Sequence, residues 1–144
     1  NCTGTTLYLP VEVQGGLLSL GDTHAAQGDG EICATAIESP MEVEIKVELI
    51  KNAGFAFPRL ETAGPVTNHI DGQGYRIITG VGDDLMVAAR DAVSEMIDWI
   101  CATTQMSAVN AYMVCSVAGD LRISEIVDVP NWVVSFYFPK SVLA

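Results

Sequence analysis

The sequence predicts an α+β fold: a mostly antiparallel, sandwich-like sheet system with one helical pair inserted between its strands. Three observations carry this. Residues 41–49 alternate Met41, Val43, Ile45, Val47 and Leu49 with Glu42, Glu44, Lys46 and Glu48, the period of a strand with one wet face. From Leu85 the period changes, and Leu85, Ala89, Ala92, Val93, Met96, Ile97 and Ile100 recur at helical spacing. Strand-like runs then return in DLRISEIVDV and NWVVSFYF, split by Pro130. Strands, a helical pair and strands again, over 144 residues, predict a single α+β domain spanning 1–144.

Taken in order, TTLYLPVEV (5–13) places Leu7, Leu9, Val11 and Val13 on one face of a strand, with Pro10 marking an edge. QGG is a turn signal, after which LLSL and ICATAI read as buried strands on either side of GDTHAAQGDGE, residues 21–31. Residues 51–76 are broken by Pro58, Gly64, Pro65, Gly72 and Gly74. They read as loop with room for a short extended piece, before the strand YRIITGV. Asp83 or Asp84 is placed to cap the first helix. A second helix over about Ser107–Val117 carries Ala108, Ala111, Tyr112 and Cys115 on one side, and Gly119 stops it. Trp99 and Trp132 read as core or interface aromatics.

Composition narrows the function. Hydrophobic residues make up 49% and charged ones 17%, which excludes a disordered chain. The mean hydropathy of +0.32 points to surface buried against another segment or subunit. A net charge of −11 argues against nucleic acid and anionic membranes, which both require clustered Lys or Arg. It suits a neutral small substrate, or carboxylates holding a cation. No apolar run reaches the roughly 18 residues of a membrane span. Cys2, Cys33, Cys101 and Cys115 are widely spaced without a CxxC pair, which favours free thiols in a reducing, cytoplasmic setting.

The chemistry concentrates in GDTHAAQGDGE. Asp22 and His24 are two apart, so on a strand end they point to the same side, and Glu31 follows a Gly-rich reversal. Carboxylate with imidazole is a usual ligand set for zinc or a similar divalent ion. Gln27, Gly28 and Asp29 offer donors and acceptors to a small amide. The bland account is a polar turn, with Asp22 capping backbone N–H groups, His24 bonding a carbonyl and Asp29 in an Asx-turn. Spacing alone leaves the two accounts open. Cys33, two residues past Glu31, is a possible nucleophile if Glu31 activates it, against a core thiol between Ile32 and Ala34. His69 reads as a loop histidine, and Asp120 and Asp128 as solvated strand ends or partners of Arg122.

Residues 5–38, TTLYLPVEVQGGLLSLGDTHAAQGDGEICATAIE, resemble the signature of the acetamidase/formamidase family. DLMVAARDAVSEMIDWI and AYMVCSVAGDLRISEIVDVPNWVVS resemble the same family, so the likeness covers nearly the whole chain. It implies hydrolysis of formamide or acetamide to the carboxylate and ammonia, by a cytoplasmic homo-oligomer with a divalent metal, zinc by preference. Carried over by residue, Asp22, His24 and Glu31 would be the metal or acid–base group, Glu31 or Asp29 would move the proton, and Gln27, Gly28 and Asp29 would be the substrate side. Such enzymes carry a further strand-rich N-terminal half ahead of the TLYLP segment. The chain is therefore expected to be the C-terminal part, with that half as its partner. The alternatives are a non-catalytic ligand- or partner-binding relative, or a metal-independent amidase using Cys33 and Glu31.

Overall fold

A computed structural model describes residues 3–63, 73–127 and 129–143. In chain order the elements are β1 (Thr6–Tyr8), β2 (His24–Ala26), β3 (Ile37–Glu38), β4 (Arg59–Glu61), β5 (Tyr75–Gly82), α1 (Leu85–Thr103), α2 (Ala108–Ala118), β6 (Asp120–Glu125), β7 (Trp132–Pro139) and a 3-10 turn, Lys140–Leu143. Among the described residues all strand pairs are antiparallel and the helical pair lies between β5 and β6, as the sequence predicts. The chain groups into two compact units, Asn1–Asp22 with Met41–Asn68, and Thr23–Pro40 with His69–Ala144.

The second unit holds the core. Its three-stranded sheet has the order β5–β7–β6, so β7 is paired on both edges. A strand flanked on both sides suits the near-continuous apolar run WVVSFYF. Val134, Phe136 and Phe138 are buried at period 2 against Ala88, Ala89, Ala92, Val93, Met96 and Ile100 of α1 and Ala111 and Cys115 of α2. On the opposite face of β7, the buried Ser135 hydroxyl bonds that of Ser124 at 2.6 Å. Trp99 packs against the core with the Arg76 guanidinium 4.7 Å from its ring centre.

Helix ends follow the sequence signals. Asp84 accepts the amides of Met86 and Val87 at 2.8 and 2.9 Å, so it and not Asp83 caps α1. Asp83 instead gives its carbonyl to the Trp132 indole N–H at 3.1 Å. Asp84→Ala should therefore lower stability by about 1 kcal/mol, while Asp83→Ala stays near neutral, as read from urea midpoints. Equal losses would contradict this capping assignment. Ser107 caps α2, and Gly119 follows it.

The first unit departs from expectation. Only Thr6–Tyr8 of residues 5–13 forms a strand, pairing with the short piece Arg59–Glu61. Leu17, Leu18 and Leu20 of LLSL lie exposed in no strand, and ICATAI contributes only Ile37 to one. Residues 41–49, the clearest alternation in the sequence, form no strand, and Val47 and Leu49 are both 72% exposed. The reason is physical. Alternation prepares a face, but a strand exists only by pairing, and no described residue ladders with 41–49.

Candidate metal centre

The segment between Asp22 and Ser39 is a hairpin. Asp22 takes a left-handed conformation, φ +58°, which Asp tolerates better than most residues. The chain then enters β2, which pairs antiparallel with β3, His24 opposite Glu38 and Ala26 opposite Ile37. A bond from the Ser39 amide to the Thr23 carbonyl, 3.0 Å, closes its base.

His24 is oriented from both ring nitrogens. Nδ1 lies 2.8 Å from the Gln27 side-chain oxygen, and Nε2 lies 3.0 Å from a Glu38 carboxylate oxygen. An amide oxygen only accepts, so Nδ1 carries a proton and donates to it. The lone pair of a neutral ring then sits on Nε2 and faces a second acceptor. Two acceptors at 3.0 Å require either a proton between them, giving an imidazolium–carboxylate pair, or a cation. Asp22, His24 and Glu38 each offer one ligand atom, all within 4.8 Å of one another. Oxygen and nitrogen ligands about 2.1 Å from one ion sit roughly 3–3.4 Å apart, so the His24–Glu38 spacing suits a shared divalent ion. The Gln27 bond is the outer contact that metal-binding histidines generally make through their second nitrogen.

The donor set thus fits a divalent metal, with one change from the sequence expectation. The structure brings Asp22 and His24 close to each other and to the Glu38 carboxylate, while Glu31 lies outside this group. Glu31 instead sits in the hairpin loop at φ +42°, its amide donating to the Gly28 carbonyl at 3.2 Å and its carbonyl accepting from Ala34 at 2.8 Å. Spacing did not single out Glu38, which lies beyond the loop. The signal available was strand register, since Glu38 ends the apolar run in which residues face alternate sides.

The residues expected on the substrate side are largely engaged internally. Gly28 is buried, and its amide donates to the Ser116 carbonyl at 3.0 Å. A Cβ there would come within 2.0 Å of the Gly119 carbonyl oxygen, so glycine is required by backbone-to-backbone contact. Asp29 donates its amide to the Asp120 carboxylate at 3.2 Å and accepts from the Leu121 amide at 3.2 Å, while its own residue surface stays exposed. Gln27 serves His24. Cys33 is half-buried, and its amide bonds the Ser116 hydroxyl. Cys33, Cys101 and Cys115 are free thiols, and burial, with the neighbouring Cys101 and Cys33, pushes Cys115 up to about 12. Asp120 pairs with Arg122 at 3.4 Å, as expected. His69 and Asp128 lie outside the described residues.

A model of the Acetamidase/Formamidase family matches residues 2–144. The formamidase of Methylophilus methylotrophus is 32% identical, over 96% of this chain and 37% of its own length. The acetamidase of Mycolicibacterium smegmatis is 44% identical over 46% of this chain and 15% of its own length. Among solved structures, the gamma lactamase from Delftia acidovorans superposes with a TM-score of 0.80 at 30% identity, covering 96% of this chain and 37% of that one. The chain therefore spans 37% of the length of the first of these relatives. With that match across residues 2–144, the chain belongs to the acetamidase/formamidase family.

Proposed function

We propose that this chain forms part of an amidohydrolase that cleaves a short amide, formamide or acetamide, to the carboxylate and ammonia at a divalent metal, zinc by preference. The observation that carries the metal reading is the approach of His24 Nε2 and a Glu38 carboxylate oxygen, at 3.0 Å, with Asp22 in reach. The names of the relatives support the amide chemistry. His24, Glu38 and Asp22 would hold the ion, which when bound supplies a Lewis acid for the amide carbonyl and an acidified water. Gln27 keeps His24 in the tautomer whose Nε2 lone pair faces the site. Glu31, or Asp29 beside it, takes the proton from the attacking water and returns it to the departing ammonia.

A thiol mechanism through Cys33 and Glu31 has less support, because Cys33 is half-buried and its amide is tied to the buried Ser116 hydroxyl. We place the enzyme in the cytoplasm as a homo-oligomer whose further N-terminal part covers the apolar residues of the first unit. The exposure of Leu17, Val47 and Leu49 supports such a cover. No helix among the described residues is long and apolar enough to cross a membrane.

Ammonia release from formamide, acetamide and a γ-lactam, measured before and after chelation and after thiol alkylation, tests these readings together. We expect turnover on a short linear amide that chelation abolishes, zinc restores and alkylation spares. Full activity in a metal-free preparation would sink the metal mechanism. Loss on alkylation alone would favour Cys33, and no turnover on any amide would favour a non-catalytic relative.

A further inference from the structure

The hairpin that carries His24 and Glu38 is too short to hold itself. Its ladder has two residue pairs, with a register shift between them, and isolated two-stranded hairpins are marginal even when longer. Its loop also holds residues in left-handed conformations, Gly30 at +99°, Glu31 at +42° and Ala34 at +58°. Non-glycine residues persist there only where surrounding structure over-determines them. Something outside the hairpin must fix it.

The fixing groups lie at the junction of α2 and β6. Ser116, 1% exposed, meets the loop at three points. Its carbonyl, one of those an α-helix leaves unpaired at its C-terminal end, accepts the Gly28 amide at 3.0 Å. Its hydroxyl accepts the Cys33 amide at 3.2 Å and donates to the Thr35 carbonyl at 2.8 Å. Asp120, buried at the first position of β6, accepts the Asp29 amide at 3.2 Å, and the next amide, Leu121, returns a bond to the Asp29 carbonyl at 3.2 Å. The Tyr112 hydroxyl bonds the Ile32 carbonyl. Loop residues 28, 29, 33 and 35 are thus bonded to this junction, and residue 32 to the middle of α2.

We propose that Ser116 and Asp120 are positioning residues for the hairpin site. By fixing the loop to the helical core they hold β2 and β3 in register, keep the His24 and Glu38 ligand atoms in reach of one ion, and aim Asp29 and Glu31. Neither side chain is a ligand. Their effect passes through the backbone of residues 28–35. The inference rests on the metal reading above, and it is separable from it by experiment.

The test compares Ser116→Ala and Asp120→Ala with Ser135→Ala. The last removes a buried hydroxyl bond of the same kind, between Ser135 of β7 and Ser124 of β6. Two measurements are made on each variant and on the wild-type protein: zinc affinity by competition with a chromophoric chelator, and amide hydrogen exchange resolved at Asp29 and Cys33. We expect zinc binding to weaken about tenfold or more in the two loop-fixing variants, the scale seen for outer groups around metal ligands. Ser135→Ala, at matched loss of thermal stability, should bind zinc as the wild type does. Exchange should accelerate at Cys33 in Ser116→Ala and at Asp29 in Asp120→Ala, and at neither in Ser135→Ala. Unchanged exchange at both amides overturns the proposal outright. So does zinc affinity that falls no further than in Ser135→Ala. A wild-type protein that binds no zinc would overturn the metal reading instead, and the exchange data would still decide whether Ser116 and Asp120 hold the loop.

Discussion

Glu38→Gln is expected to remove zinc and turnover together, whereas Glu31→Gln keeps zinc and loses turnover alone. The difference follows from where the two carboxylates sit. Glu38 faces His24 Nε2 at 3.0 Å from the opposite strand, so neutralising it leaves a site one anionic ligand short. The affinity loss should exceed the 10–100-fold that outer groups produce, and His24→Ala should match it. On the proposed reading Glu31, in the loop, would lie on the proton path, for which removal costs about 10²–10⁴-fold in kcat with binding little changed. Metal content per chain, measured beside kcat and KM for each variant, separates the two roles. Zinc retained by Glu38→Gln but lost by Glu31→Gln would restore the ligand set read from the sequence. The His24–Glu38 contact would then be an ion pair and nothing more.

That pair of variants also marks how far the site was legible. Asp22 and His24 were expected on one face of a strand end, but Asp22 is left-handed at φ +58° and β2 begins only at His24, so a shared strand face is not what brings them together. Glu38 was not singled out, because its position depends on the register of β3 against β2 and on a loop whose path is set by Ser116 and Asp120, far along the chain. Gly28 shows the same limit. Between two polar residues it read as a donor to substrate. Its reason for being glycine is the Gly119 carbonyl oxygen, which no local pattern announces.

The fold divides along a similar line. α1 and α2 were recovered nearly to the residue, with Asp84 one of two caps offered for α1 and Gly119 the stop of α2, since helical period is satisfied within a few positions of sequence. β5, β6 and β7 were recovered because each finds its partner inside the chain. Residues 41–49 carry a cleaner alternation than β6, yet form no strand, because nothing described in the chain pairs with them. Sequence pattern reports which face is apolar. Whether a partner exists to cover it is a property of the assembly.

Gly80→Ala should be the most destabilising single-methyl change in the second unit. Gly80 lies on β5 opposite Val134, where α1 crosses the sheet. A Cβ at this position would stand 1.9 Å from the Ala88 carbonyl oxygen, 2.8 Å from its carbonyl carbon and 2.9 Å from the Ala92 amide nitrogen. All three are backbone atoms of a helix whose inner face is already filled, with Ala88 and Ala92 both 0% exposed. No rotamer change relieves such a contact, so the helix must lift from the sheet, opening the core around Val134 and Phe136. Overpacking that side chains can absorb costs about 1–3 kcal/mol. Here backbone must yield, and a loss of at least about 3 kcal/mol is expected, a large share of the roughly 5–15 kcal/mol that stabilises a typical domain. Gly82→Ala, two residues along the same strand, is the control: the nearest atoms to its added methyl are Asp84 backbone at 3.9 Å, an ordinary contact. It should change the urea midpoint little. If the two variants unfold at the same denaturant concentration, α1 does not pack on β5 as closely as this geometry requires.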